Sequence, residues 1–330
     1  MHELILEFVR AAPQPLALLR VPLDDGALVA AFETKSSPEA AAPRWIAKFA
    51  SGAHACARLR SESAALSALE PWSSRLGLAR QLAWREAEAG EPACLLQSGV
   101  PGFARPWRWR GGNSALPRGL DQAIAWLQHF QACRFSWLPW PALTLGQLAE
   151  QALADRARHI AAHPEWASML GAIPEVLLAP PGISHEPAVP VHGDFWSGNL
   201  LFSGRSRSPA IAVIDWSGFA PGTRWHDLLT LLANLRCGTM RRSLGRAQAW
   251  EAVFYATGRA RDMLLRWAGL SGASGATVGW AFHLFAQQRM AWELGLGLQT
   301  RNPAERAQAM QEWGEIVAAM AQRGFPSPLA

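Results

Sequence analysis

The sequence predicts a mixed α+β protein in two unequal lobes: a small N-terminal antiparallel sheet carrying one helix, then a larger, mainly helical C-terminal part. Three observations predict it. Short β-favouring runs separated by turn residues fill most of the first hundred positions. From residue 120 the apolar residues recur at helical spacing. Between helical stretches, residues 189–216 (VPVHGDFWSGNLLFSGRSRSPAIAVIDW) alternate strands with polar turns.

The N-terminal elements follow in order. Leu16 to Leu23 reads as a strand, Asp24-Asp25-Gly26 as a tight turn and Ala27 to Thr34 as the returning strand. A Ser/Pro/Ala-rich loop over 36–43 leads to a third strand, Arg44 to Phe49, with Lys48 inside an otherwise apolar run. Such a lysine ordinarily faces solvent. Here a helix follows over Ala53 to Leu69, with Ala57, Leu59, Ala64, Leu66 and Leu69 mostly on one side and Glu62 within it. Two readings of Glu62 stand: a partner for Lys48, or an exposed carboxylate near Arg58. Gln81 to Glu86 and Ala93 to Leu96 read as further strands joined by the polar turn Glu86 to Glu91. The Gly/Pro-crowded stretch Gln97-Ser98-Gly99-Val100-Pro101-Gly102 suits a hinge, so the lobes are expected to divide as 1–98 and 99–330.

Beyond the hinge, Leu120, Ile124, Leu127 and Phe130 stand at i, i+4, i+7 and i+10 and predict an amphipathic helix. His129 at its end is expected to be packed or hydrogen-bonded rather than reactive. Residues 143–170 read as helical, and Pro180-Pro181-Gly182 marks a loop. After Asp215 the reading is helical over about 225–237, 246–268, 276–298 and 303–322. Trp107, Trp109, Trp137 and Trp140 cluster in sequence, and core packing is the preferred account of them over an aromatic binding platform.

Composition narrows the class. Half of the 330 residues are hydrophobic and 17% are charged, a globular rather than disordered balance. The net charge of +5 comes with far more Arg than Lys, but no compact basic block appears, so no nucleic-acid partner is expected. Cys56, Cys94, Cys133 and Cys237 are scattered without a C-x-x-C pair, which fits a reducing compartment. Glu3 and Glu7 interrupt the apolar N-terminus, and no run of 18 apolar residues exists. A cytoplasmic protein without a transmembrane segment is expected. The phosphate-binding motif G-x-x-x-x-G-K-[ST], the G-x-S-x-G elbow and H-E-x-x-H are all absent, and Gly295-x-Gly297 lies in a helical stretch without a preceding strand.

The stretch 189–216 carries the chemistry. An apolar run enters the turn His192-Gly193-Asp194, and Asn199 follows five residues after Asp194. Leu200-Leu201-Phe202 and Ile211-Ala212-Val213-Ile214 read as two strands of a hairpin that delivers Asp215. This brings three oxygen-bearing side chains together, and hard cations such as Mg²⁺ take oxygen ligands shared with substrate phosphates. With its paired motifs HGDFWSGN and VIDW, the stretch resembles the aminoglycoside phosphotransferase and choline kinase family, which shares the protein-kinase fold. The specific motifs lie in 189–229 and, more weakly, in 44–66.

The resemblance implies a two-lobed protein-kinase-like fold that moves the γ-phosphate of ATP, with Mg²⁺, to a hydroxyl of a small-molecule acceptor. It implies Asp194 as catalytic base, Asn199 and Asp215 as metal ligands, and Lys48, oriented by Glu62, on the α/β-phosphates. It places the adenine against the backbone of the hinge, for which Gln97 and Gly99 are taken. His192 is expected to scaffold the loop, and Asp227 to cap the following helix or anchor the loop. Two departures stand out. Ser217 occupies a position where the family often has an acidic residue. The Asp24-Asp25 turn is a poor phosphate cradle, because carboxylates repel a triphosphate. That turn motivates one alternative, a nucleotide-binding pseudoenzyme; another is a metal-dependent hydrolase built from His192, Asp194, His226 and Asp215.

Overall fold

In a computed structural model the described residues are 16–20, 23–24, 27–34, 44–88, 91–100, 102–104, 119–135, 137–162, 182–203, 210–234, most of 250–300, and short pieces at 164–167 and 308–322. The turn at Asp25-Gly26, the 36–43 loop, Pro101, Trp107, Trp109, the 204–209 turn and Cys237 lie outside them.

The N-terminal sheet contains β1 (Leu16–Arg20), β2 (Leu23–Asp24), β3 (Ala27–Thr34), β4 (Arg44–Ala50), β5 (Gln81–Arg85) and β6 (Ala93–Ser98). Its order is β1-β3-β4-β6-β5, all antiparallel, with β2 also on β3. The register sorts the side chains. Leu28 faces Phe49 and Ala30 faces Ala47, and these four form a small cluster of their own on one face. Lys48 and Ile46 therefore point to the other face, opposite Leu95 and Gln97. β6 runs two residues past the expected Leu96, because Ile46 pairs with Gln97 and Trp45 with Ser98. The strand ends at Ser98, just before Gly99.

Helix α1 (Ala53–Leu69) has the expected bounds. Its buried residues include Ala55, Leu59, Glu62, Ser63, Leu66 and Leu69, while Ala57 is exposed and Ala64 only half-buried. Alanine is small enough to sit on either side, so it marks a helix face poorly. Glu62 and Ser63 can lie on the buried face because each has a polar partner: Glu62 takes Lys48, and Ser63 Oγ donates to Gln81 Oε1 at 2.9 Å. A one-turn helix, α2 (Ser73–Leu76), ends at Gly77 with φ 65°, where a Cβ would stand 2.8 Å from the Ile211 carbonyl oxygen.

The helical part contains α3 (Leu120–Gln131), α4 (Leu145–Ala162), α5 (His226–Asn234), α6 (Arg259–Leu270) and α7 (Gly275–Thr300). The single helix expected over 246–268 is broken at Gly258, ahead of α6. Glycine's backbone freedom makes it a common interruption. Gly295 and Gly297 fall inside α7, in helix as read. Among the described residues no helix is long and apolar enough to cross a membrane. Cys56, Cys94 and Cys133 are free thiols, and His129 Nε2 accepts from Arg75 Nε at 2.8 Å.

Small strands connect these parts. β7 (Phe103–Ala104), which the sequence reading missed, pairs with β9 (Leu200–Ser203), and β9 forms a hairpin with β10 (Ala210–Val213). β8 (Val189–Val191) pairs with β11 (Ala220–Gly222), so residues 189–222 close on themselves. Under this loop lies an aromatic stack. Trp126 of α3 packs on Phe130, Phe195 and Trp216 with centroids 5.2, 5.4 and 6.1 Å away. Trp140 packs on Phe219 at 4.7 Å and Trp137 is exposed, so neither contributes to a joint platform. Trp126 Nε1 also donates to the Leu76 carbonyl at 2.8 Å, tying α3 to the α2 turn. Trp126→Phe keeps most of the packing but leaves that buried carbonyl without its donor. It is expected to lower the unfolding free energy by about 1–3 kcal/mol in urea titration.

Candidate active site

The loop after β8 is held by groups from the far end of the segment. The N–H groups of His192 and Gly193 donate to Asp227 Oδ2 and Oδ1 at 2.8 and 3.0 Å, and Asp227 is fully buried. Asp227 thus serves the loop as an anchor. The buried His192 ring packs 4.5 Å from Trp216 and uses both nitrogens: Nδ1 accepts from the Asp194 N–H at 3.3 Å, and Nε2 donates to the Ile214 carbonyl at 3.0 Å. Gly193 has φ 82°, and a Cβ there would stand 2.1 Å from the Gly218 carbonyl oxygen, so only glycine fits. The hydrolase arrangement is excluded at this point, since neither His192 nitrogen is left to hold a metal.

Asn199 joins Asp194 to Ile214, the residue before Asp215. Its Nδ2 donates to the Asp194 carbonyl at 2.9 Å and to Asp194 Oδ2 at 3.3 Å, and its own carbonyl accepts from the Ile214 N–H at 3.0 Å. With the nitrogen engaged by Asp194, the amide oxygen is the atom that suits a hard cation. Asp215 is the one non-glycine residue with positive φ, 61°, among those described. Aspartate tolerates this left-handed conformation better than most residues, and such strain concentrates at functional sites. Ser217 Oγ donates to Asp215 Oδ1 at 2.8 Å, and Arg58 Nη2 donates to Ser217 Oγ at 3.3 Å while lying 3.9 Å from Asp215 Oδ2. Burial works to raise the Asp215 pKa, but Lys48, the Ser217 hydrogen bond and Arg58 outweigh it and hold the carboxyl below its ordinary range. It is ionised at neutral pH.

Lys48 Nζ lies 2.6 and 2.7 Å from the two Glu62 oxygens, and the Glu62 side chain is almost wholly buried. The exposed-carboxylate reading of Glu62 is therefore corrected. Burial works against the Lys48 charge, but Glu62 and then Asp215 outweigh it and hold the ammonium above the usual lysine range. Glu62 also accepts a hydrogen bond from the Trp216 backbone, next to Asp215. The sheet, α1 and the Asp215 turn are thus joined through one carboxylate.

Gln97 lies between β4 and β5, paired with Ile46 and Gln81, so its main chain is inside the sheet. Its side chain shares the Lys48 face, is 4% exposed, and leaves Oε1 without a protein partner. An orphaned buried acceptor on this face is the kind of group a bound polar ligand satisfies. Gly99 is half-buried just after β6 and lines a cavity of about 290 Å³ with Ser73, Gly77, Arg80, Val100 and Ile211. That cavity includes none of Lys48, Asp194, Asn199 or Asp215.

The arrangement fits a magnesium nucleotide. One ionised carboxylate and one amide oxygen suit Mg²⁺, which completes its shell with water and phosphate. Among the described residues no group of three His, Cys, Asp or Glu side chains gathers as a zinc site would need. Three contributors went unassigned in the sequence reading: Arg58, Ser217 as a hydrogen-bond partner of Asp215, and Arg289, whose Nη1 lies 3.2 Å from Asp194 Oδ1. Arg58 stands one turn before Glu62 on a helix face already assigned to the site, which is the signal that points to it. Arg289 is 95 positions from Asp194, and no local pattern links them.

The model of the phosphotransferase enzyme family (APH) matches residues 21–265. In fold the chain is similar to a candidate aminoglycoside phosphotransferase from Ralstonia eutropha JMP134, at 13% identity and TM-score 0.61, covering 98% of this chain and 97% of that one. It is also similar to a microcompartment-associated aminopropanol kinase, at 16% identity and TM-score 0.51, covering 98% and 97%. The ADP-bound aminoglycoside phosphotransferase APH(2'')-Ib matches at 12% identity and TM-score 0.53, covering 97% and 98%. No curated protein matches the sequence. The fold is protein-kinase-like, an antiparallel sheet lobe joined to a helical one.

Asp227→Ala removes the acceptor from two buried amides at once. It is expected to cost about 2–4 kcal/mol of unfolding free energy in urea titration, and Asp227→Asn less, since one oxygen remains.

Proposed function

Since the chain belongs to the APH phosphotransferase enzyme family and is a small-molecule kinase, we propose that it transfers the γ-phosphate of ATP to a hydroxyl of a small acceptor. The observation that carries this reading is the coupling of Lys48, Glu62 and the Trp216 backbone around an ionised Asp215. Phosphoryl transfer asks the protein to position reactants and neutralise charge more than to form bonds, and the site supplies those groups. The lobes divide near residues 98 and 99, with the nucleotide against the hinge at Gly99 and beside the Gln97 face.

Asp194 takes the proton of the acceptor hydroxyl as its oxygen attacks the γ-phosphorus and ADP departs. Asn199 Nδ2 holds that carboxylate, and the His192 ring holds the Asp194 backbone amide, through the contacts described. Lys48, kept charged and directed by Glu62, faces the α/β-phosphates. Asn199 and Asp215 would hold Mg²⁺, which when bound supplies the positive charge on the phosphate oxygens. Arg58 adds a second cation beside Asp215. Nucleotide use is further supported by the ADP-bound relative of the same fold.

ADP release with Mg²⁺-ATP and a panel of hydroxyl acceptors tests the reading; a pseudoenzyme binds nucleotide but releases none. Asp194→Asn is expected to lower kcat by about 10²–10⁴-fold, the usual size of general-base assistance, with ATP affinity little changed. Full activity in that variant removes the base from this loop. Asp215→Asn should stay folded by circular dichroism and lose Mg²⁺-dependent turnover, because a neutral amide is a weaker ligand for a hard cation. Lys48→Ala should weaken ATP binding in calorimetry more than Glu62→Ala does; equal binding in Lys48→Ala and parent takes the lysine out of the site.

A further inference from the structure

The turn that carries the base also carries a tryptophan that the transfer chemistry above does not use. Phe195 is fully buried in the aromatic stack, whereas its neighbours Asp194 and Trp196 are half-buried and exposed. Trp196 has an extended backbone, with φ −140° and ψ 169°. Successive side chains of an extended segment leave on opposite sides. With Phe195 turned inward, Asp194 and Trp196 therefore share the open side. The Trp196 carbonyl accepts from the Asn199 N–H at 2.9 Å, so the base, the indole and the amide belong to one turn.

The indole is held in place without being buried. Gly198 is not one of the glycines with positive φ, so its backbone conformation would accept alanine. What a Cβ there would meet is the indole, with Cε2 at 2.9 Å and Cζ2 and Cη2 closer still. The six-membered ring of Trp196 thus lies against the bare Gly198 backbone. The residue is nevertheless 39% exposed. Among the described residues its indole has no ring partner, and its N–H has no acceptor. Large aromatic side chains are ordinarily well buried, and a buried indole N–H usually finds a partner. Here an apolar surface, backed by Gly198 and open elsewhere, stands two residues from the base.

We propose that Trp196 is the platform for the acceptor: it stacks the C–H face of a ring-shaped hydroxyl compound, a pyranose or cyclitol, while a hydroxyl at the edge of that ring reaches Asp194. The inference rests on the phosphotransferase reading. The face of an indole is electron-rich and repels anions, so it is a poor wall for a triphosphate. That charge is met instead by Lys48 and Arg58 beside Asp215. The same face suits polarised C–H groups. A six-membered ring covers the indole, whereas an open-chain alcohol covers part of it and loses more freedom when held. The indole N–H, a donor only, is left for a second hydroxyl. A cation is also drawn to such a face, but the carboxylate of this turn, Asp194, already pairs with Arg289 at 3.2 Å. A cationic acceptor therefore finds no unpaired carboxylate in the turn.

The test uses the purified full chain, Mg²⁺-ATP and ADP release with three acceptor sets: pyranoses and cyclitols with and without amino groups, open-chain polyols such as glycerol and sorbitol, and open-chain amino alcohols including choline. The best ring acceptor is expected to exceed the best open-chain one about tenfold or more in kcat/KM. Trp196→Ala should raise the KM for that acceptor about tenfold or more, the usual loss at an aromatic anchor, with the KM for ATP and the Tm little changed. Trp196→Phe should recover part of it. Gly198→Ala, whose Cβ displaces the indole, should raise the acceptor KM in the parent protein but add little to Trp196→Ala. That non-additivity separates a displaced platform from damage to the turn itself. Three results overturn the inference and leave the kinase reading standing: an open-chain acceptor that leads for the parent, an unchanged acceptor KM in Trp196→Ala, or an effect of that variant on ATP alone. No ADP release with any set overturns both.

Discussion

A buried ammonium stays charged only if a carboxylate is brought to it, and much of the architecture follows from meeting that condition at Lys48. The alternation of β4 turns Lys48 away from the Leu28, Ala30, Ala47 and Phe49 cluster and toward α1. Helix α1 answers with Glu62, on a face that otherwise buries Leu59, Leu66 and Leu69. Breaking such a pair leaves an uncompensated buried charge, which is far more costly than the modest net worth of the intact pair. Because Glu62 also takes the Trp216 backbone N–H, the position of α1 against the sheet and the position of Asp215 are set by one carboxylate.

The loop bearing Asp194 is rigid for a different reason. Its backbone amides are taken by Asp227, its histidine is fixed at both nitrogens, and Gly193 passes too close to Gly218 for any side chain. Beneath it, Phe195 and Trp216 belong to the same aromatic stack as Trp126 and Phe130. Polar satisfaction above and ring packing below fix the loop backbone, and the Asp194 carboxylate takes its own partners, Asn199 Nδ2 and Arg289 Nη1. That is the condition for a preorganised site, in which charge is stabilised without reorganisation during reaction.

The charges of the site are divided between the lobes. Lys48 and Arg58 approach Asp215 from the sheet lobe, and Arg289 approaches Asp194 from α7. Asp194 and Asp215 are thus each accompanied by a cation. A high negative charge, such as a triphosphate, is tolerated beside Asp215 only with such compensation. Ser217, where an acidic residue would have added another negative charge, instead donates to Asp215 and accepts from Arg58.

Most of the fold was legible because local patterns decide it. The β3 and α1 bounds follow from the Asp/Gly residues that precede Ala27 in sequence and from the helical spacing, and HGDFWSGN with VIDW carries Asp194, Asn199 and Asp215 within 22 residues. Where the reading failed, the deciding partner was distant. The β6 end depends on pairing with Trp45 and Ile46, β7 on the Leu201–Phe202 edge, and the break before α6 on a single glycine inside an apolar periodicity. The choice between a paired and an exposed Glu62 was open in sequence, because both leave the same helical pattern; burial of the face against β4 decides it. Arg289 was not legible at all. Backbone hydrogen bonding and side-chain periodicity act over a few residues and are written in the chain, whereas a charge set beside a carboxylate 95 positions away exists only once α7 has packed against the helical lobe.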